Sequence, residues 1–282
     1  MQFLSTPRRI LITGASQGIG RATALALAEQ AHSLVLAARN ADALHATAEQ
    51  IRRAGGRAQT VVLDVTDSDS VHRGVSEVLA AGPLDVLVNN AGNCCQREFL
   101  RCSEGELQHE MDLNYFGAQR MIRALLPAFV RQRTGRIINV SSLLGSSAAP
   151  TTANYSASKA ALEAFSQALR GELARFGIRV TVFVAPHTRT ELGTRTEFRG
   201  VTSLPVEYVA RELVHAIDTG PHRYAASPVY RLLLRLAAWF PALMERKMVE
   251  CVQHLFCEPG RLTPDGGAGV VRTDLGSAPR AR

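Results

Sequence analysis

Short apolar runs alternate along the chain with longer amphipathic segments. Residues 10–13, 33–38, 59–63, 84–88, 136–140 and 178–185 have the length of buried strands. Residues 21–30, 41–54, 68–81, 117–131, 155–175 and 206–218 read as helices, and 223–227 as a short final strand. This repeated strand–helix order predicts an α/β fold, a doubly wound parallel sheet in three layers (αβα). The ligand crevice of such a sheet lies at the C-terminal ends of its strands. Gly14, Asp64, Asn89, Ser142 and Pro186 all fall at such ends and are expected to converge.

Beyond residue 190 the pattern changes. Residues 191–204 are polar and rich in Thr, Arg and Gly, as expected of a mobile loop covering a substrate. Pro228 introduces a segment dominated by Leu, Trp239 and Phe240. Pro241 opens a second helical stretch to about 256, and Arg231, Arg235 and Arg246 fall near one stripe. Such a segment can lie on a membrane surface, cover an apolar pocket or form a subunit interface, the last two being favoured. The expected organisation is one domain over residues 1–227, a helical extension of it over 228–257, and a disordered tail over 258–282, rich in Gly, Pro and Arg.

Composition narrows the function classes. With 282 residues, 46% hydrophobic and 20% charged, and a mean hydropathy near zero, the chain has ample apolar material for a full core. The net charge of +7 comes from scattered basic residues without interleaved aromatics, so no nucleic-acid partner is expected. Cys94, Cys95, Cys102, Cys251 and Cys257 form no C-x-x-C pair and have no His at metal spacing, so no metal is expected. Their odd number, and a start without an apolar targeting stretch, suggest free thiols and a cytoplasmic location. No run of 18 uncharged apolar residues is present to span a membrane.

Two motifs bring in chemistry. Gly14-x-x-x-Gly18-x-Gly20 stands between a strand and a helix, where glycines let the backbone approach a pyrophosphate at the helix N-terminus. The strand over 33–38 ends in Ala38-Arg39, without the acid that would bind a ribose 2′-hydroxyl. Arg39 suits a 2′-phosphate, and Ser16 can add a hydroxyl contact. The second motif is Tyr155 with Lys159, one turn apart on one helix face. A phenol titrates near 10, and a nearby cation favours its phenolate. Of the 32 basic residues only Lys159 and Lys247 are lysine, which makes a specific role for Lys159 more plausible.

With these residues in register, the chain resembles the short-chain dehydrogenase/reductase family and its Rossmann-like fold. The matches are Thr13-Gly-Ala-Ser-Gln-Gly-Ile-Gly20, Asp64, Asn89-Asn-Ala-Gly92, Asn114, Ser142, Tyr155-x-x-x-Lys159 and Pro186, covering residues 8 to about 190. The resemblance implies a pyrophosphate turn at Gly14, Gly18 and Gly20, with Ser16, Gln17 and Ile19 within the turn. It puts Asp64 and Val65 beside an adenine, and Asn89, Ala91 and Gly92 near the ribose and sheet centre. It implies Tyr155 as the acid/base and Lys159 as the group that bonds the nicotinamide ribose and lowers the tyrosine pKa. Ser142 would polarise a carbonyl, and Asn114 would anchor a proton-relaying water. The sequence departs from the family after Pro186, where His187 replaces the usual Gly. That substitution is expected to change how the loop closes over the nicotinamide, because Gly permits dihedrals that His does not. His187 is read as a structural substitution rather than a substrate contact, and Thr190 as the candidate for the carboxamide contact.

The expected function is an NADP(H)-dependent ketone or aldehyde reductase (or the reverse alcohol oxidation) acting on a fairly apolar small molecule. A homo-oligomer is expected, and peripheral membrane contact through 228–256 is kept open. The alternative is a non-catalytic NADP(H)-binding sensor or scaffold with the same fold. Cys94 and Cys95, next to the Asn-Asn-Ala-Gly turn, are read as incidental thiols.

Overall fold

The computed structural model describes residues 7–256. In chain order the strands are β1 (Arg9–Thr13), β2 (Ser33–Ala38), β3 (Arg57–Val62), β4 (Val86–Asn89), β5 (Gly135–Ser142), β6 (Ile178–Ala185), β7 (Thr188–Arg189), β8 (Leu204–Pro205) and β9 (Arg223–Ala225). The helices are α1 (Gly18–Ala28), α2 (Ala41–Arg53), α3 (Ser68–Ala80), α4 (Glu104–Met111), α5 (Gly117–Gln132), α6 (Ala153–Leu173), α7 (Glu191–Thr194), α8 (Val206–Thr219), α9 (Pro228–Trp239) and α10 (Pro241–Val252). A seven-stranded parallel sheet runs in the order β3-β2-β1-β4-β5-β6-β9, and β7 pairs with β8 apart from it. The chain leaves β1 toward one edge and returns to β4 on the other side. The topological switch point therefore lies between β1 and β4, where a crevice opens beyond the strand ends.

Successive strand residues enter opposite layers. Ile10, Ile12, Leu34, Leu36 and Val88 pack with Leu27 of α1, Ile51 of α2 and Ile217 of α8. Leu11, Val35, Leu87 and Ile137 pack with Val78 of α3, Leu125 and Phe129 of α5, and Leu169 of α6. With helices on both faces, nearly every position in these strands is buried, which is why they read as continuous apolar runs rather than alternating ones. The Rossmann-like architecture foreseen from the sequence is the one observed.

Two features differ from the sequence expectation. Helix α4 fills a stretch that carried no predicted element. It opens on a capping box, in which Ser103 Oγ accepts from Glu106 N (3.3 Å) and the Glu106 carboxylate accepts from Ser103 N (2.9 Å). It then passes through a π-helical turn, Asp112–Phe116, directly into α5. Helix α1 begins at Gly18 rather than 21, because the last glycines of the turn already have helical partners. At the C-terminal end, Tyr230 and Leu234 of α9 pack on Val182, Val184 and Ala225, joining this pair of helices to the sheet edge. The tail over 258–282 and Cys257 lie outside the described residues. No helix among the described residues is long and apolar enough to cross a membrane, and no cluster there could hold a metal ion.

Candidate active site

The chain turns sharply at the end of β1. Gly14 has φ +65°, and a Cβ there would meet Ala91 Cα at 3.0 Å; a Cβ on Gly20 would stand 2.4 Å from the Gly14 carbonyl oxygen. Both positions therefore exclude a side chain on space, and Gly14 on backbone conformation as well. Thr13 Oγ1 accepts from the amides of Asn90 (3.0 Å) and Ala91 (3.1 Å), while Asn90 Nδ2 donates to the Thr13 carbonyl (3.0 Å). These bonds tie the glycine turn to the end of β4. Gln17 caps α1 without a side-chain hydrogen bond, and the first turn holds no acid. The positive end of the helix dipole is thus left for an anion.

A cleft beside this turn is lined by Ser16, Gln17, Gly18, Arg39, Asp64 and Val65, with Ala91, Gly92 and Thr190 toward the sheet centre. Arg39 has 60% of its side chain exposed and lies 3.8 Å from Asp64, a weak pairing at that exposure. Burial alone would raise the Asp64 carboxyl. Hydrogen bonds from Thr66 N (2.9 Å) and Oγ1 (2.7 Å), helped by Arg39 and His109, outweigh burial and hold it below its usual range. Asn89 turns into the sheet instead, donating to Asn139 Oδ1 (2.8 Å), and Asn139 donates to Ser166 Oγ (2.8 Å). Asn90, its neighbour, is the residue that lines the cleft.

Asn114, Ser142, Tyr155 and Lys159 gather where the π-turn, the end of β5 and the start of α6 meet. Lys159 Nζ lies 5.7 Å from the centroid of the Tyr155 ring and donates to the Val140 carbonyl (3.0 Å). The π-turn carries Asn114, whose Oδ1 accepts from Asn93 N (2.9 Å) and whose Nδ2 donates to Asn93 O (2.9 Å) and Ser158 Oγ (3.1 Å). A Cβ on Gly92 would stand 2.9 Å from Asn114 Oδ1 and 3.3 Å from Lys159 Nζ, so glycine there brings the two groups to one point. Burial pushes the Tyr155 phenol well above its ordinary range, Cys94 and Glu110 push the same way, and a hydrogen bond with Ser142 works against them. Burial brings Lys159 down to about 8, against the opposing charges of Cys94, Glu110 and Glu163. The expected lowering of the phenol by Lys159 is therefore not met: burial governs both groups.

Tyr155, Ser142 and Lys159 line a cavity of about 550 Å³ that also takes in Ile19, Cys94, Pro186, His187 and Thr190. Its apolar lining comes from Phe198 and Val201 of the loop, Tyr230, Leu234 and Ala237 of α9, and Met244 and Met248 of α10. Of the three roles open to the C-terminal helices, their inner face takes that of pocket wall. Thr190 lies between cleft and cavity and caps α7 through its Oγ1, which accepts from Gly193 N (3.0 Å). His187 has no left-handed backbone, the positive-φ residues other than glycine being Ala31, Arg133 and Thr151 among those described. The loop thus accommodates histidine without the strain its replacement of glycine suggested.

Sequence reasoning passed over Glu110, which is buried and accepts from Cys95 N (2.7 Å) and Asn154 Nδ2 (2.8 Å). It lies behind Cys94, whose thiol is pushed up to about 12 by burial and by Glu110. The Ser103–Glu106 capping pattern was the available signal for this helix.

A family model described as short chain dehydrogenase matches residues 8–198. The chain belongs to the short chain dehydrogenase family. It is accordingly an oxidoreductase of a family that uses nicotinamide cofactors. It is 35% identical over 219 residues to a fatty acyl-CoA reductase of Acinetobacter baylyi, covering 76% of this chain and 74% of the relative. It is 38% identical over 175 residues to a 3-ketodihydrosphingosine reductase of Bacteroides thetaiotaomicron, covering 62% and 61%. A solved short-chain dehydrogenase from Streptomyces avermitilis superposes with a TM-score of 0.74 at 32% identity, covering 87% of this chain and 98% of that one.

Proposed function

We propose that this short-chain dehydrogenase is an NADP(H)-dependent reductase of a ketone or aldehyde on a long apolar molecule. The observation that carries this reading is the cavity: Ser142, Tyr155 and Lys159 line it together with apolar side chains from α9, α10 and the 195–203 loop. A lipid-like chain fits such a wall, and two relatives are named for reductions in fatty acyl and sphingoid chemistry.

The residues of the cleft fit a nicotinamide dinucleotide. Gly14 and Gly20 let the turn close against Asn90 and Ala91 where a Cβ would clash, and the uncapped start of α1 beside it suits a pyrophosphate. Arg39, at the position after Ala38, lines that cleft, and a guanidinium there suits a 2′-phosphate, which supports NADP over NAD. When bound, the cofactor supplies a hydride. Ser142 holds the substrate oxygen by hydrogen bonding, and Tyr155 gives that oxygen its proton. The phenol holds its proton at neutral pH; burial makes it a weaker acid, and the hydrogen bond with Ser142 works in the direction of donation. Lys159, beside the Tyr155 ring and across Gly92 from Asn114, is the group that returns a proton to the phenol, itself resupplied through a water held by Asn114. The proposal includes a cytoplasmic homo-oligomer. The outer face of α9 and α10 supports peripheral membrane contact: Leu232, Leu236, Trp239, Phe240 and Leu243 are exposed beside Arg231, Arg235 and Arg246.

Cofactor oxidation with a homologous series of aldehydes and methyl ketones tests this reading. NADPH should be oxidised in preference to NADH, and Arg39→Ala should erase most of that preference. Tyr155→Phe should lower kcat by roughly 10²–10⁴-fold. A protein that binds NADPH but reduces no carbonyl, with Tyr155→Phe indistinguishable from it, would instead be a sensor or scaffold.

A further inference from the structure

We propose that His187 is a positioning residue, the clasp that holds the 195–203 loop against the cavity and so sets part of the cavity's apolar wall. This rests on the reading of that cavity as the substrate site. His187 follows Pro186 at the end of β6, and both its ring nitrogens reach the loop. Nδ1 lies 2.7 Å from Ser203 Oγ, and Nε2 lies 3.1 Å from Thr196 Oγ1. The direction of these bonds follows from proton counting. With the Thr196 hydroxyl donating its single proton to the Gly193 carbonyl (3.1 Å), it accepts from the ring, and Nε2 is assigned the hydrogen. Nδ1 then has a lone pair, and Ser203 donates to it. The neutral imidazole is satisfied on both sides, and burial keeps its pKa below the ordinary value for histidine.

The remaining contacts of His187 reach the same loop. Its ring meets Phe198 edge-on, with centroids 5.6 Å apart and planes at 75°. Its carbonyl accepts from Leu204 N (2.9 Å), where β8 begins. The clasp therefore touches the start, the middle and the end of the loop, while Phe198 and Val201 between them face the cavity. The loop's outer edge is held elsewhere: Gln96 pairs with the backbone of Glu197 (2.6 and 3.0 Å), and Arg199 N donates to Cys251 O (2.9 Å). The Gln96 bonds are exposed and compete with water, whereas those of His187 are partly buried, so the inner clasp has the larger effect on loop closure.

Arg195 and Arg199 make the loop readable by trypsin. With two partly buried hydrogen bonds removed, His187→Ala should be cut after these arginines about tenfold faster than the native protein, with a melting temperature lowered by only a few degrees. His187→Gln, whose amide can still donate to Thr196, should fall between the two. In the ketone series, the ratio of KM for His187→Ala to that for the native protein should grow with chain length, reaching about tenfold from 2-butanone to 2-dodecanone. Equal cleavage rates in folded His187→Ala and native protein would overturn the clasp, as would a KM ratio independent of chain length. If no ketone is reduced, the proposed function fails and proteolysis alone decides the clasp. If His187→Ala does not fold, Ser203→Ala and Thr196→Val carry the same cleavage test.

Discussion

Lys159 shows how much one residue's surroundings alter its chemistry. It is one of two lysines among 32 basic residues, and its ammonium is almost entirely buried at the end of β5. A guanidinium stays charged under nearly all conditions, whereas an ammonium can be brought into the working range by burial. The shift from 10.5 to about 8 has a definite sign for stability. Below about pH 8 both folded and unfolded chains hold the proton, and the folded state bears the cost of a buried charge. Between about 8 and 10.5 the unfolded chain alone holds it, so this site's contribution to stability rises with pH. Urea unfolding should show native stability rising relative to Lys159→Met by on the order of 1 kcal/mol between pH 7 and 9. Parallel curves for the two proteins would remove burial as the cause. The spacing of Tyr155 and Lys159 was legible in the sequence; that burial rather than their mutual charge governs them was not. Asn89 teaches the same lesson, since the motif names it but only the packed sheet shows it bonded to Asn139 rather than open to the cleft.

At the scale of elements, strands buried on both faces announce themselves by apolar runs, and the helices that cover them by amphipathic spacing. Helix α4 escaped because it is short and polar, with Glu110 as its only buried residue. Its local signal is the capping box at Ser103 and Glu106. Ser103→Ala should therefore destabilise the protein by about 1 kcal/mol in urea unfolding. A change too small to measure would mean that Glu110, through Cys95 and Asn154, fixes the helix without the cap. The π-turn that follows places Asn114 in the site. Such a turn depends on the packing of α4 and α5 together, and no residue in Asp112–Phe116 marks it in advance.

At the scale of the molecule, α9 and α10 present two apolar faces. Tyr230, Leu234, Met244 and Met248 close the cavity, while Trp239 and Phe240 are 80% and 55% exposed. Vesicles containing phosphatidylserine should sediment the native protein at low salt, and Trp239→Ser/Phe240→Ser should abolish most of that binding. Retention of the native protein in the supernatant would end the membrane reading. The sequence by itself determined the fold and pointed to the candidate catalytic group, because both are written in short-range spacing: strand-length runs, a glycine turn, and a Tyr–Lys pair one helical turn apart. Only the tertiary structure decided which protonation state burial favours, which face of α9 meets the cavity, and what His187 holds. Those depend on neighbours far apart in the chain, such as Gln96 with Glu197 and Gly92 with Lys159, and on exclusion of water, which belongs to the packed molecule rather than to any stretch of it.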